Sequence, residues 1–570
     1  MKEALSIETE RTDDIPLLLT HMQRMQLAIL LDKHFPTHGL RKGLSMGELI
    51  LVWLTHVLSQ ADHRMNRVQE WVSRRLTTLR GCGLADLTPL DVTDDRLADV
   101  LRLLSDDERY RAFEQELMGH LLRVYALDAS CVRLDTTTVS SYADVSEEGL
   151  LQLGHSKDHR PDLPQVKIAL ATLDPFGIPL ASEVLSGEQA DDPVYVPLID
   201  RVHRGLERAG LLYVGDCKMA AEKTRAHLQA QGDFYLCPLS ALHVPSAALA
   251  QNVEMYLATG SPLIQVVRET EADQPKWIAA SDMRHWSRCR STKEIRRFEG
   301  RERRLIIQSI DACKAAQSSL HERLEKAEKA IGELMVRKQG KPRLTSRVQV
   351  EEQVQSILSS LRVEGLLQVD IQEEVSEHPV RAYRGKLSSP RQMWGFQVHV
   401  ERDVQAIERA MKVLGWRVYA TNQQTAPLGL PQAVEAYRDE YLVERNFGRL
   451  KGHPLSLGPL YVQLDEHRVG LVRLLTIALR VVTVLEGVVR HVLAEQHLEL
   501  AGLFAGNPKR RTAQPTTERL LEAFNEVTLT IVSGPGFVQR HLPPLSALQQ
   551  HILALCGFSS AVYSRLTDDS

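Results

Sequence analysis

Apolar residues recur at spacings of three and four along the first hundred residues, and this spacing predicts amphipathic helices. Three segments share it, at residues 15–35, 45–60 and 65–79. A longer segment with the same spacing follows at residues 91–127. The sequence therefore predicts an all-α N-terminal domain over residues 1–125.

The pattern changes near residue 126, where short apolar runs alternate with helical segments. Strands are predicted at residues 131–139, 166–173, 178–185, 211–216 and 233–239, a turn at 174–177, and helices at 194–209 and 219–231. The order is strand, two-stranded hairpin, helix, strand, helix, strand, which is the order of a ribonuclease-H-like core. Residues 126–240 are thus predicted to be the first part of an α/β catalytic core, a mixed sheet flanked by helices.

Residues 241–430 depart from this order and are predicted to form an insertion of helices and strands. A basic run lies inside it, made of Arg284, Arg288, Arg290, Lys293, Arg296, Arg297, Arg301, Arg303 and Arg304. A heptad-like segment at residues 306–334 follows. An antiparallel helical pair within the insertion and a dimeric coiled coil both explain it. The insertion closes with a predicted strand–helix–strand unit at residues 396–422.

Residues 431–500 are predicted to hold a final catalytic helix and a core helix. Tyr437, Glu444 and Lys451 are spaced by seven residues on the first helix. Seven residues return to within about 20° of the same helix face. The resulting stripe is either a functional face or an ordinary solvated one. Residues 501–570 are predicted to be a helical tail.

The second helix of this part, residues 469–492, is the most apolar of the chain. Four charged residues interrupt it, namely Arg473, Arg480, Glu486 and Arg490. This composition predicts a buried core helix rather than a membrane span. The N-terminal residues lack the apolar core of a signal peptide, and the seven cysteines include no CxxC pair. Both features favour a cytoplasmic protein.

Charge limits how the chain can bind nucleic acid. The 69 Lys and Arg residues against 73 Asp and Glu give a net charge of −4, so DNA binding would depend on local basic faces. One candidate face lies on the N-terminal helices, at Arg41, Lys42, Arg64, Arg67, Arg74 and Arg75. A solvated polar face explains these residues equally well, because no helix-turn-helix signature accompanies them.

Three acidic residues lie on separate predicted elements. Asp135 interrupts an apolar, β-branched strand, Asp216 ends another strand, and Glu444 lies on the final helix. An unpaired carboxylate near a core is costly, so Asp135 should face a cation or water. The alternative is an exposed strand edge. Because the strands of Asp135 and Asp216 would be neighbours in the predicted core, the two acids could converge on one divalent-metal site.

An ordered set of motifs carries a family resemblance. It comprises Leu134-Asp135-Thr136-Thr137, the loop at residues 154–163 with the sequence GHSKDHRPDL, Val214-Gly215-Asp216, and Tyr437, Glu444 and Lys451. From about residue 15 to about residue 495 the chain resembles the DDE transposases of bacterial insertion sequences, specifically the IS1634-type branch of the IS4-like superfamily. One position departs from the family pattern, since Glu440 stands where the family has an arginine. Arg438 and Arg445 lie nearby, and Glu440 becomes a rival third acid.

The resemblance implies a function and a site. It implies that Asp135, Asp216 and Glu444 hold two Mg²⁺ ions, with Mn²⁺ as a possible substitute, and catalyse phosphoryl transfer on DNA. It further implies that Lys451, Tyr437, Arg438, Lys157 and Arg160 contact DNA phosphates. The partners would be the element's terminal inverted repeats and target DNA, bound as a homodimer, with no membrane and no nucleotide cofactor.

Two other functions stay open. A ribonuclease-H-like DNA nuclease would need the acids but no surface that binds transposon ends. A catalytically inactive, transposase-derived DNA-binding protein would keep the fold and lose the chemistry. A structural coiled-coil protein is disfavoured, because the heptad segment is a small fraction of the chain.

Overall fold

The computed structural model describes residues 5–37, 39, 42–258, 263–266, 277–290, 297–336, 344, 346–378 and 391–567. Contacts between Cα atoms divide the chain into two compact units. The first comprises residues 1–237, 287–300 and 436–570, and the second comprises residues 238–286 and 301–435. The candidate basic residues Arg41, Lys293 and Arg296 lie outside the described residues.

The N-terminal part is mainly helical, as predicted. Its elements are β1 (Ser6–Arg11), α1 (Ile15–Arg24), α2 (Leu27–His34), α3 (Met46–Gln60), α4 (Met65–Ser73), α5 (Leu76–Gly81), α6 (Asp94–Leu104) and α7 (Asp107–Val124). Ser45 begins α3 with a reciprocal capping box, in which its hydroxyl accepts from the N–H of Glu48 and the Glu48 carboxylate accepts from the N–H of Ser45. The apolar faces of these helices are buried.

A mixed sheet forms the centre of the first unit. Its elements are β2 (Cys131–Ser140), β3 (Gln165–Leu173), β4 (Ile178–Ser186), α8 (Tyr195–Leu206), β5 (Leu212–Gly215), α9 (Glu222–Ala230) and β6 (Phe234–Pro238). Within this unit the strand order is β4-β3-β2-β5-β6. The pairs β2–β3 and β3–β4 are antiparallel, and β2–β5 and β5–β6 are parallel. The predicted order of strands and helices and the α/β class are confirmed.

The predicted insertion of helices and strands lies mainly in the second unit. Its elements are α10 (Ser246–Ala258), β7 (Ile264–Val266), β8 (Trp277–Arg290), β9 (Arg297–Ser309), α11 (Ile310–Gly332), α12 (Arg347–Ser360), β10 (Leu367–His378), β11 (Arg391–Arg402), α13 (Val404–Lys412) and β12 (Trp416–Thr421). The closing strand–helix–strand prediction is confirmed by β11, α13 and β12. On α11, Leu320 and Leu324 are buried against α12, which contributes Val350 and Val354 to the same core. The apolar positions of the heptad-like segment that lie on α11 therefore pack within the chain, as the helical-pair alternative predicted.

The remaining elements belong mainly to the first unit. They are α14 (Leu430–Arg438), α15 (Tyr441–Lys451), α16 (Asp465–Glu495), β13 (Leu500–Ala501), β14 (Arg511–Thr512), α17 (Thr517–Glu522), β15 (Thr528–Gly534), β16 (Phe537–His541), α18 (Ala547–Leu555) and α19 (Ala561–Ser564). Helix α16 is buried along most of its length and packs on α3, α6 and β4. Its burial confirms the predicted core helix. Within the described part of the chain, no helix has both the length and the apolar character needed to cross a membrane.

Two expectations about the chain ends are wrong. The tail is not purely helical, because β15 and β16 form an antiparallel hairpin. The N-terminal domain is not all-α, because β1 pairs antiparallel with β15, with Ile7 opposite Val532. The alternating segment at residues 528–532 is a strand pattern. Its backbone is paired on both sides, by β16 and by β1, which comes from the other end of the chain.

Candidate active site

Pairing between β2 and β5 brings the first two predicted acids together. Leu134 on β2 lies opposite Gly215 on β5 in the parallel register, so Asp135 and Asp216 follow directly at the same edge. Glycine suits the close approach at position 215, because a Cβ there would lie 3.1 Å from the carbonyl oxygen of Leu134, closer than ordinary van der Waals contact, and 2.8 Å from the Met219 sulfur. The close approach of the two strands therefore places both carboxylates at one point.

Each aspartate is held through one oxygen. The Oδ1 atom of Asp135 accepts from the Thr136 N–H at 2.7 Å and lies 3.4 Å from the Lys157 ammonium. The Oδ1 atom of Asp216 accepts from the Tyr195 hydroxyl at 2.9 Å and from the Lys218 N–H at 2.9 Å. Among the described residues, the hydrogen bonds to both acids fall on Oδ1. The Oδ2 atoms are left to serve a cation or a substrate.

Burial and repulsion change the acidity of this site. Burial raises the pKa of Asp135 to about 6, with a further rise from the Asp216 carboxylate, while Lys157 acts in the opposite direction. Burial also raises the pKa of Glu440 to about 7, and the charges of Asp135, Glu444 and Asp216 add to the rise. The four acids therefore share one electrostatic environment. Such a cluster is stabilised when a cation joins it.

The predicted final helix is broken, which corrects the single-stripe interpretation. Helix α14 ends at Arg438 and α15 begins at Tyr441, with a turn at Asp439 and Glu440 between them. Tyr437 is buried and lies before the break, so it does not share a continuous helix face with Glu444. An unbroken helix would have kept Tyr437 and Glu444 on one face. The turn separates them and places the Glu440 side chain at a small internal cavity. Glu444 is exposed in the first turn of α15.

Glu440 lies beside the strand segments that carry the two aspartates. It lines a small cavity together with Leu134, Val214 and Gly215. The Tyr437 side chain donates a hydrogen bond to it and lowers its pKa. Glu444 remains the residue that matches the family motif, and Glu440 remains its rival.

The missing arginine of the family motif has no substitute in Arg445. Its guanidinium pairs with Glu486 of α16 at 2.9 Å. Arg449 also pairs with Glu486, and Arg490 does so at 3.0 Å. The pairs of Arg445 and Arg449 with Glu486 fix α15 on α16, while the Arg490 pair lies within α16. The Arg445 side chain is therefore engaged in a structural ion pair with Glu486 and is not directed at the acids.

The residues predicted to contact DNA phosphates differ in their position and in their partners. Lys157 lies inside the site, where it contacts Asp135 and the Thr136 hydroxyl at 2.8 Å. Lys451 is paired with Asp158 at 2.6 Å, which ties the end of α15 to the loop at residues 154–163. Arg160 is more exposed and pairs with Asp162 at 2.7 Å. Arg438 is exposed.

Three further residues of the site were not identified from the sequence. Tyr195 binds Asp216, as described above. The buried Lys167 ammonium on β3 pairs with Asp191 at 2.6 Å, just before α8. Burial opposes ionisation of Asp191, but the hydrogen bond from Lys167 and the charge of Lys157 leave its pKa below the ordinary value. A lysine within an apolar strand is the only sequence signal that could have identified this pair.

The two aspartates suit a hard divalent cation. Mg²⁺ is usually held by one or two carboxylates, with water and substrate phosphate completing its coordination. Asp135 and Asp216 provide two carboxylates with their Oδ2 atoms available. Among the described residues, no group of three or more His, Cys, Asp or Glu side chains is close enough to hold a metal ion together. The fit of this site to Mg²⁺ therefore rests on Asp135 and Asp216.

Comparison with known proteins assigns the chain to no family. No protein-family model matches the chain. The search of curated proteins also gave no match.

Proposed function

We propose that the chain is a DDE-type DNA transposase of an insertion sequence with a ribonuclease-H-like catalytic core. It would bind the terminal inverted repeats, cleave DNA at the element ends and join the 3′-OH ends to target DNA. The observation that carries the proposal is the placement of Asp135 beside Asp216 at the edge of the parallel β2–β5 pair. The order of strands and helices around this pair supports it, as does the resemblance in the four motifs.

The side chains around the pair suit phosphoryl transfer. Asp135 and Asp216 would hold Mg²⁺ with a third acid, Glu444 or Glu440. When bound, the metal supplies charge neutralisation for the attacking and leaving oxygens. Lys157 holds Asp135, and Tyr195 holds Asp216, so both carboxylates stay in place without substrate. Preorganised groups of this kind lose no free energy to reorganisation during the reaction.

Basic groups near the acids would position the DNA strand. Lys451 and Lys157 lie on the two elements that meet beside the site, α15 and the loop at residues 154–163. Contacts from such groups to phosphates fix the register of a strand but read no bases. The duplex ends would be recognised elsewhere, on the N-terminal helices and the insertion, and a homodimer would hold two ends together.

The test is Mg²⁺-dependent cleavage of a duplex that carries the element's own ends, taken from the DNA flanking the gene. Wild type is compared with Asp135→Asn and Asp216→Asn, and with Asp99→Asn as a control on the exposed face of α6. We expect both site variants to lose cleavage at least 100-fold while end binding changes little. Cleavage by Asp135→Asn at the wild-type rate would overturn the assignment. Cleavage without preference for the ends would favour the nuclease alternative, and binding without cleavage would favour the inactive one.

A further inference from the structure

Two exposed tyrosines stack on each other beyond the end of β2. The rings of Tyr142 and Tyr461 are 6.4 Å apart between centroids and 27° from parallel. Their exposed fractions are 61% and 75%. Tyrosine is enriched at binding surfaces because its ring is apolar and its hydroxyl is polar, so this exposed stacked pair is a candidate binding surface.

The backbone fixes this pair. Ser141 and Leu460 form a parallel bridge immediately before the two tyrosines. The Leu460 N–H donates to the Ser140 carbonyl at 2.9 Å, and the Ser141 hydroxyl donates to the Leu460 carbonyl at 2.7 Å. The rings are therefore presented from two clamped segments. A preformed surface of this kind binds without the cost of ordering a loop.

A cavity of about 610 Å³ adjoins Tyr461 in the same unit. This volume lies in the range of ligand sites, about 300–1,000 Å³. Apolar walls come from Trp53, Leu457 and Leu471, while Asn66 and Gln463 add amides at its lining. Amides of this kind can pair with the hydrogen-bonding edge of a base.

Cationic groups flank the tyrosines and the cavity. The Arg160 guanidinium interacts with the Tyr142 hydroxyl as well as with Asp162. Arg64 lines the cavity and is paired with Asp62, with 63% of its side chain exposed. Exposed ion pairs contribute little to stability. Either arginine could therefore exchange its carboxylate for a phosphate.

We propose that Tyr142, Tyr461 and the adjoining cavity bind one unpaired base of a DNA strand. The base would stack on one face of the Tyr461 ring, and Tyr142 stacks on the other face. The phosphates next to that base would contact Arg160 or Arg64. Stacking on aromatic rings is the usual means of holding an unpaired base without reading its sequence. The proposal rests on the proposed function for its ligand, since it takes the strand to be DNA held at the candidate active site.

The distance from the acids limits which base is involved. Tyr142 lies seven residues after Asp135 and two residues past the end of β2 at Ser140, so the strand rise gives an upper limit on their separation. This limit is roughly 23 Å at ~3.3 Å per strand residue. A strand in duplex geometry covers that distance in about seven nucleotides, at ~3.4 Å each. The bound base would therefore lie within about seven nucleotides of the phosphate at Asp135.

The experiment uses the full-length protein and a single-stranded oligodeoxynucleotide with one 2-aminopurine, whose fluorescence falls on stacking. Affinity and quenching are measured for wild type, Tyr142→Ala and Tyr461→Ala. Tyr461→Phe keeps the ring and Tyr461→Leu keeps only apolar bulk. The control is Leu153→Ala, since Leu153 is 55% exposed on a neighbouring segment. Because the tyrosines are exposed, their replacement should leave the thermal midpoint unchanged.

We expect each alanine variant and Tyr461→Leu to weaken binding about ten-fold or more and to lose quenching. Tyr461→Phe and Leu153→Ala should behave as wild type. Wild-type binding and quenching by both alanine variants would overturn the base site, even if Asp135-dependent cleavage of element ends is observed. Tyrosine-dependent quenching without any cleavage would keep the base site and reject the transposase. The two proposals therefore fail separately.

Discussion

The hydroxyl of Tyr195 donates a 2.9 Å hydrogen bond to Oδ1 of Asp216, from the first residue of α8 to the residue that follows β5. Tyr195 is fully buried. A single rigid contact thus orients one of the two central carboxylates. Burial and the neighbouring acids raise the pKa of Tyr195 well above its ordinary value, so it stays a donor throughout the working pH range.

Tyr195→Phe should therefore impair the site without unfolding it. The loss of this donor frees the Asp216 carboxylate to rotate, and we expect cleavage to fall about ten-fold at limiting Mg²⁺, with recovery at high Mg²⁺. The measurement is the cleavage rate as a function of Mg²⁺ concentration. Tyr213→Phe is the matched control, because the Tyr213 hydroxyl, three residues before Asp216, is buried and has no hydrogen-bond partner among the residues that the structure describes. An unchanged Mg²⁺ requirement in Tyr195→Phe would show that the contact is merely structural.

Glutamine substitutions should distinguish the two candidate third acids. We expect Glu444→Gln to lose cleavage at every Mg²⁺ concentration, as a lost metal ligand would. We expect Glu440→Gln to stay active, with the acid limb of its pH–rate profile moved to lower pH. The reason is that ionised Glu440 repels the Asp135 carboxylate, so its removal favours the charged form of Asp135.

The readout is the pH–rate profile of end cleavage for both variants beside wild type. If Glu440→Gln is inactive and Glu444→Gln is active, the third acid is Glu440. The inward turn between α14 and α15 would then be the cause of the departure from the family motif.

Asp135→Asn should stabilise the protein at alkaline pH. The folded-state pKa of Asp135, about 6, lies above its unfolded value of 3.8. The protonated form is therefore favoured by folding, and that stability is lost as the pH rises through 6. Between pH 5 and 8 the free energy of unfolding of wild type should fall by about 1.4 kcal/mol relative to the variant. Denaturant unfolding at both pH values checks this, and equal pH dependence in both proteins would contradict it.

A buried ionic cluster should dominate the stability of the first unit. The Glu114 carboxylate on α7 lies between Arg201 of α8 and Arg480 of α16, and it accepts from the Ser182 hydroxyl at 2.9 Å. Glu114→Gln would leave the buried Arg480 guanidinium without its carboxylate partner and Arg201 with Glu183 alone. We expect a loss of about 3–5 kcal/mol, seen as a lower thermal midpoint.

The exposed pair of Asp99 and Arg102 provides the control for this effect. Their side chains are 51% and 56% exposed, at a separation of 3.0 Å. Asp99→Asn should change the free energy of unfolding by less than about 1 kcal/mol. A similar effect of both substitutions would show that Glu114 contributes no more than a surface charge.

The local pattern of apolar and polar residues determined many of the secondary-structure elements of this protein. The spacing of apolar residues predicted the N-terminal helices, the order of strands around Asp135 and Asp216, and the buried helix α16, because burial of one face repeats with the period of the element. It also placed the two aspartates on neighbouring strands. The strand at residues 528–534 has a local pattern too, but its pairing with β1 depends on a partner more than 500 residues away.

Tertiary structure decided the rest of the site. The turn at Asp439 and Glu440 separates Tyr437 from Glu444, although the spacing of seven is regular. Arg445 turns to Glu486, and Lys451 turns to Asp158. These contacts join side chains from distant elements, and a single sequence does not state which long-range partner satisfies a buried charge. The sequence therefore determined which residues could do chemistry, and packing determined which of them meet.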